Sequence, residues 1–281
     1  MLRFEDITQD GRLVLEAIPN ALDPTLWRGA LAHDPAAQAC LARGIVPILT
    51  RFVLEGTPGP FSPYAAADAE AAYRTARVGS GFVVDMWAEV LGTPGRTYGA
   101  AAPPSEARAV AGRVYAEHVL TRPFAPPGER RVTALDFEGA PVVRESRPAL
   151  SPIAEIARVP GVARALEPTM RLDPLLVTFG LVHTDGNRHV NSLAYLRLFE
   201  EAALRRFADL GRKELVLSRH LEIAYRKPCF AGQRTRVALQ AFEQGERLGV
   251  AGVLVDAADV PTEEALAAAR PHAFVRILFE R

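Results

Sequence analysis

One amphipathic helix followed by a run of strand-like segments constrains this fold more than any other feature. Between residues 192 and 210, Leu193, Leu196, Phe199, Ala203, Phe207 and Leu210 recur at helical spacing, with Arg197, Glu201, Arg205 and Asp209 mostly opposite. Gly211 supplies the stop signal. The apolar run Leu175–Val182 precedes the helix with strand character. Strand-like segments follow it at 215–228, 233–243 and 246–256, the last two parted by the turn Gln244-Gly245-Glu246. Residues 261–270 read as a short helical insertion, and His272–Glu280 as a closing strand. A helix with one apolar stripe laid on antiparallel strands predicts the α+β class.

The N-terminal half repeats this order more faintly. Arg12–Ile18 reads as a strand, 36–55 as one broken helix or two short ones because Pro47 interrupts the pattern, and Gly81–Leu91 as a long strand. Arg108–Leu120 and Arg130–Phe137 read as further strands, and 57–63 and 93–104 as loops. Pro94-Gly95-Arg96-Thr97 echoes Ala231-Gly232-Gln233-Arg234-Thr235 of the second half. Pro141, Pro148, Pro152, Pro160 and Pro168 mark 138–171 as linker-like, wrapping one domain. The predicted organisation is therefore an N-terminal domain over 1–140, a linker over 141–171 and a C-terminal domain over 172–281. A strand-helix-strands unit of about 110 residues leaves a sheet edge open, so two such units in one chain are expected to pair as an internal pseudo-dimer.

Composition excludes several function classes. With 281 residues and 49% hydrophobic content, the chain is long enough for two ordinary cores. Lys+Arg and Asp+Glu both number 33, so no global field draws nucleic acid or an anionic membrane. No apolar stretch approaches a membrane span, and the start lacks the pattern of a signal peptide, so a cytoplasmic location is expected. Two cysteines, Cys40 and Cys229, fit a reducing compartment and offer no paired zinc-ligand spacing. The abundance of Ala, Arg and Leu suggests a GC-rich bacterial genome.

The chemistry concentrates in Asp185-Gly186-Asn187-Arg188-His189-Val190-Asn191-Ser192, directly before the helix. A carboxylate, two amides and an imidazole there meet a helix N-terminus, whose unpaired N–H groups favour a developing negative charge. Val190, Asn191 and Ser192 are the expected oxyanion donors. Asp185-Gly186-Asn187 alone would read as an Asx turn, but the complete motif predicts a catalytic or ligand-binding role. In the first half, Asn20, Asp23, Pro24, Trp27 and Arg28 stand at the corresponding place, so that domain is expected to lack the catalytic motif and to supply pocket wall.

Asp185, Asn187, His189, Val190 and Asn191, with Tyr195 and the acidic pair Glu200 and Glu201, resemble the signature of hotdog-fold thioesterases. The likeness is greatest to the acyl-ACP thioesterases and looser to the 4-hydroxybenzoyl-CoA thioesterase-like group. Ile223-Ala224-Tyr225-Arg226-Lys227-Pro228-Cys229-Phe230-Ala231-Gly232 resembles the strand and turn that follow the hotdog helix. The resemblance implies a tandem (double) hotdog, each a long helix wrapped by an antiparallel β-sheet, the two sharing one continuous sheet. It implies hydrolysis of an acyl-ACP or acyl-CoA thioester, with Asp185, Asn187 and His189 matching the catalytic carboxylate, amide and imidazole. No metal or cofactor is required by that reaction, and a homodimer is compatible with it. Two positions depart from the family pattern: Pro228 replaces the acidic residue before Cys229, and Ser192 replaces the second Asn of a pair.

On this reading Asp185 acts as general base or as nucleophile, Asn187 orients it, and His189 positions water or protonates the leaving thiolate. Glu200 falls on the helix face of Leu193 and Leu196 and is expected in a structural pair, though a site role stays open. Cys229 reads as a small buried apolar residue rather than a nucleophile, and Tyr195 as packing. Arg205, Arg206, Arg212 and Lys213 read as a solvated cluster, with coenzyme A phosphates or an acidic carrier surface as the alternative. His183 reads as wall or core. Two other functions compete: a hotdog dehydratase or hydratase on acyl thioesters, and a non-catalytic acyl-thioester binding or assembly protein.

Overall fold

The computed structural model describes residues 3–8, 10–95, 107–145, 147, 149–212, 216–260 and 262–280. The chain divides into two units, Met1–Leu150 and Ser151–Arg281. Each is an antiparallel sheet carrying a helical layer, as the α+β expectation required.

In the first unit a helical stretch precedes the sheet. Residues Leu15–Ala21 form a 3-10 segment, Asp23–Leu31 a π-helical one, and α1 (Pro35–Leu41) a short α-helix capped by the Asp34 side chain. Leu15, Ile18, Leu22 and Leu26 are all buried at near-helical spacing, which is why Arg12–Ile18 is not the strand its apolar content suggested. The expected helix over 36–55 is likewise corrected. Helix ends at Leu41, a turn follows to Gly44, whose φ of +67° suits only glycine well, and β1 (Val46–Gly56) begins with Pro47 in its second position, where a proline is tolerated.

Strands β2 (Asp68–Val78), β3 (Gly81–Gly92), β4 (Ala109–Thr121) and the short β5 (Val143–Arg144) complete the sheet in the order β5-β2-β3-β4-β1. The strands expected at 81–91 and 108–120 are thus present, and 57–60 is loop. Arg130–Phe137 is not a strand; only Arg131 bridges, to Thr121. β2, unforeseen, pairs residue for residue with β3 from Asp68↔Leu91 to Val78↔Gly81. Arg147 ties the segment after β5 to the sheet, donating to Asp85 at 2.7 Å, Glu117 at 2.7 Å and Tyr115 at 2.8 Å.

In the second unit, α2 (Ile153–Ile156) leads to β6 (Arg164–Ala165), β7 (Arg171–Leu172) and β8 (Val177–Thr178), each a two-residue strand. Then come α3 (Ser192–Asp209), β9 (Leu217–Tyr225), β10 (Arg234–Gln244), β11 (Arg247–Asp256) and β12 (Ala273–Glu280), the sheet running β9-β12-β11-β10. The helix and these four strands match the sequence reading within a few residues, and Glu263–Ala268 supplies the helical insertion as a 3-10 segment. Leu175–Val182 is corrected: only Val177–Thr178 is strand, and Leu181–His183 turns as 3-10 helix.

Residues after 151 do not dangle as linker. β6, β7 and β8 pair in succession along β10, at Phe242↔Ala165, Ala238↔Leu172 and Thr235↔Val177. A core of Ala157, Ala238, Val253, Val255 and Val260, with Met170, Leu172 and Leu266 against it, covers that part of the sheet. β11 is buried along nearly its whole length, so its run of apolar residues has no polar alternation. Arg205 meets Asp173 at 2.9 Å, Arg206 meets Glu167 at 2.6 Å and Arg212 meets Glu243. These three are therefore paired rather than a merely solvated or phosphate-seeking cluster. Lys213, Pro148, Arg96 and Thr97 lie outside the described residues. Among the described residues no helix is long and apolar enough to cross a membrane.

Candidate active site

The motif folds as a tight loop closed on itself. Thr184 and Val190 form an antiparallel bridge, Asp185 N–H donates to His189 C=O at 3.0 Å, and Arg188 N–H donates to Asp185 C=O at 2.9 Å. That is a turn over 185–188 whose last residue, Arg188, is left-handed at φ +63°. Asp185 Oδ1 accepts the Asn187 N–H at 2.8 Å, so Asp-Gly-Asn does form an Asx turn. The turn leaves Asp185, Asn187 and His189 exposed on one loop, with the Asp185 and His189 backbones joined. Asn187 holds Asp185 through its backbone N–H; its side-chain amide makes no hydrogen bond among the described residues.

The helix start is more committed than a bare N-terminus. Val190 N–H donates to Cys229 C=O at 2.8 Å, and Asn191 N–H to His183 C=O at 2.8 Å. Asn191 is the N-cap: its Oδ1 accepts the Leu193 N–H at 2.8 Å, and its carbonyl accepts the Ala194 N–H at 3.0 Å. Among the four amides from Val190 to Leu193, Ser192 N–H alone has no acceptor among the described residues. Of the expected donors, then, Val190 and Asn191 hold the loop in place, and Ser192 N–H has no acceptor among the described residues.

A turn over Phe230–Gln233 backs the loop. Gly232, at φ +83°, donates its N–H to Phe179 C=O at 2.7 Å, and Phe179 N–H returns to Gln233 C=O at 3.0 Å. The Phe230 ring meets the His189 imidazole edge-on at 5.2 Å. Tyr195 is buried: its hydroxyl accepts the Cys229 N–H at 3.0 Å, and its ring stands 5.4 Å from that of Tyr225, whose hydroxyl donates to Ser192 C=O at 3.1 Å. Tyr195 therefore does more than pack, since it fixes the strand end that holds Val190.

Cys229 is fully buried, and burial pushes its thiol up to about 11. That burial matches the small buried residue expected there. Pro228, standing where the family pattern has an acid, places no carboxylate there. Glu200 accepts from the Ser218 hydroxyl on β9. His183 Nδ1 accepts the Gly180 N–H at 2.9 Å, so it shapes the entry to the loop. Sequence reasoning missed Gln233, which bridges three groups behind the loop; as a polar residue after a glycine turn it carried no signal of its own.

The first unit contains a cavity of about 310 Å³ lined mainly by apolar groups, including Trp27, Leu31, Ile45, Val84, Met86 and Leu120. Asp34 and Tyr73 line it too, the phenol donating to the carboxylate; burial pushes that phenol up to about 12.

Comparison with known proteins bears on this architecture. Residues 187–263 match the family model of the thioesterase superfamily. An acyl-ACP thioesterase from Bacteroides thetaiotaomicron superposes with a TM-score of 0.60 at 13% identity, covering 99% of this chain and 95% of that one. The 12:0-ACP thioesterase from Umbellularia californica gives 0.57 at 14% identity, covering 99% and 94%. No curated protein matches the chain. The chain has the tandem hotdog fold, and residues 187–263 of its second unit are similar to the thioesterase superfamily.

Proposed function

We propose that the protein hydrolyses acyl thioesters, carried on coenzyme A or on an acyl carrier protein, to free acid and thiol. The observation that carries this reading is the closed loop 185–189 set on the N-terminus of an 18-residue helix. It presents a carboxylate with one oxygen restrained, an imidazole on the residue whose backbone pairs with that of Asp185, and the uncommitted Ser192 N–H. In the first step Asp185 takes a proton from water as the water oxygen attacks the thioester carbonyl. Ser192 N–H, aided by the helix dipole, donates to the tetrahedral oxyanion; a well-placed donor of this kind is worth about 3 kcal/mol. Collapse breaks the carbon–sulfur bond, and the proton taken by Asp185 passes through His189 to the leaving thiolate, which restores both groups. Direct attack by Asp185, through an anhydride that water then opens, uses the same groups.

We also place the protein in the reducing cytoplasm of a bacterium. Both cysteines are free and buried, and Ala, Arg and Leu abound.

The test is thiol release from a panel of acyl-CoA and acyl-carrier-protein thioesters by the native chain and by Asp185→Asn. Turnover that drops by about 10²–10⁴ in the variant, with its fold intact, is the expected result. Binding without release in the native chain, or hydration of an enoyl thioester in place of hydrolysis, overturns it.

A further inference from the structure

We infer that Gln233 is a positioning residue for the candidate site, holding the Phe230 turn and, through the Phe230 ring, the His189 imidazole. This rests on the thioesterase reading and adds to it a residue outside the motif.

Gln233 uses both ends of its side-chain amide. Oε1 accepts the Phe230 N–H at 3.2 Å, while Nε2 donates to Asp256 Oδ2 at 2.9 Å and lies 3.1 Å from His272 Nε2. The partners dictate the amide's orientation, because a backbone N–H only donates and a carboxylate only accepts. His272 Nε2 then accepts, and its proton sits on Nδ1. His272 is buried, and burial lowers its pKa, which keeps the ring in the neutral form this arrangement needs. The charged groups around it are Asp256 and Lys227, the latter tied to Arg270 C=O at 2.9 Å. Gln233 thereby ties the turn to the end of β11, through Asp256, and to the start of β12, through His272.

What the turn holds is the site itself. Cys229, just before it, grips Val190 N–H at one end of the motif loop, and Gly232 and Gln233 grip Phe179 ahead of the other end. The Phe230 ring is about half exposed, so packing alone does not fix it. Its direction follows from a backbone whose N–H is held by Gln233, and that ring is the aromatic partner of His189. Loss of the amide frees the Phe230 N–H and with it the imidazole.

The experiment compares the native chain with Gln233→Leu and Gln233→Glu. It measures hydrolysis of a saturated acyl-CoA and records the His189 ring resonances by NMR. Gln233→Leu is expected to lower kcat by about tenfold with KM changed less than about twofold, and to shift the His189 resonances. Gln233→Glu keeps an acceptor but sets a second carboxylate against Asp256. It is expected to be impaired at about pH 8 and to recover relative to the native chain towards about pH 6, as the new carboxyl gains a proton and donates again. The Leu variant has no such recovery. Unchanged His189 resonances in both variants overturn the inference. If the native chain releases no thiol, the thioesterase reading falls, while the NMR comparison still decides the role of Gln233.

Discussion

Arg188 is the one non-glycine residue among those described with a positive φ. A Cβ in the left-handed region costs about 1 kcal/mol or more, and the residue is held there because the turn over 185–188 must bring Asp185 and His189 back together. Arg188→Gly should therefore raise stability, by about 0.5–1 kcal/mol after the greater freedom of glycine in the unfolded chain is discounted, read as a shift in urea midpoint. A fall in stability would show that the guanidinium, not the backbone, matters there. Cys229 makes the opposite point, that reactivity is decided by surroundings. With its thiol pushed up to about 11 and its surface fully buried, it should resist iodoacetamide in the folded protein and react only after unfolding. Cys229→Ala should keep the thiol-release activity, and its loss would make Cys229 a site residue.

At the scale of elements, α3 is defined by its two ends. Asn191 caps its first turn through the Leu193 N–H, and Gly211, at φ +73°, ends it. Asn191→Ala should destabilise by about 1 kcal/mol, while Asn191→Asp should stay within a few tenths, both followed by far-UV circular dichroism in urea. Equal losses in the two would mean that the side-chain nitrogen, rather than the capping oxygen, does the holding. β2 shows the converse case of an element without local signal. Asp-Ala-Glu-Ala-Ala-Tyr-Arg-Thr-Ala-Arg-Val favours a helix by propensity, and it is a strand because β3 pairs with it along its whole length.

For the molecule as a whole, stability depends on pH through a group remote from the motif. His118 on β4 is buried with its ring edge-on to Trp27 at 5.1 Å, and burial pushes its pKa down to about 4. The unfolded chain protonates this imidazole near pH 6.5, and the native chain does not until about 4. Its contribution is therefore complete above about pH 6.5 and is lost as pH falls towards 4, by up to about 3 kcal/mol. Trp27 and Trp87 both belong to the first unit, so tryptophan fluorescence reports unfolding of that unit alone. Urea midpoints by fluorescence at pH 7 and at about pH 4.5 should differ far less in His118→Phe than in the native chain. An equal difference in both would assign the acid sensitivity to other groups.

Periodicity and capping, read from the chain alone, determined α3 and the four strands behind it, because each buries a face whose spacing is printed in neighbouring residues. The position of the motif, a turn set directly before the helix, was legible too, and Asp185, Asn187 and His189 are the residues proposed to act there. Only the tertiary structure decided the rest. Leu15–Leu26 is helical and 46–56 a strand because packing overrode local propensity. The segment after residue 151 is part of a sheet because β10 offered an unpaired edge. Which helix-start amide stays available could not be read from Val190, Asn191 and Ser192, because their acceptors come from Cys229, His183 and the Asn191 side chain, and contacts across such separations leave no trace in local spacing.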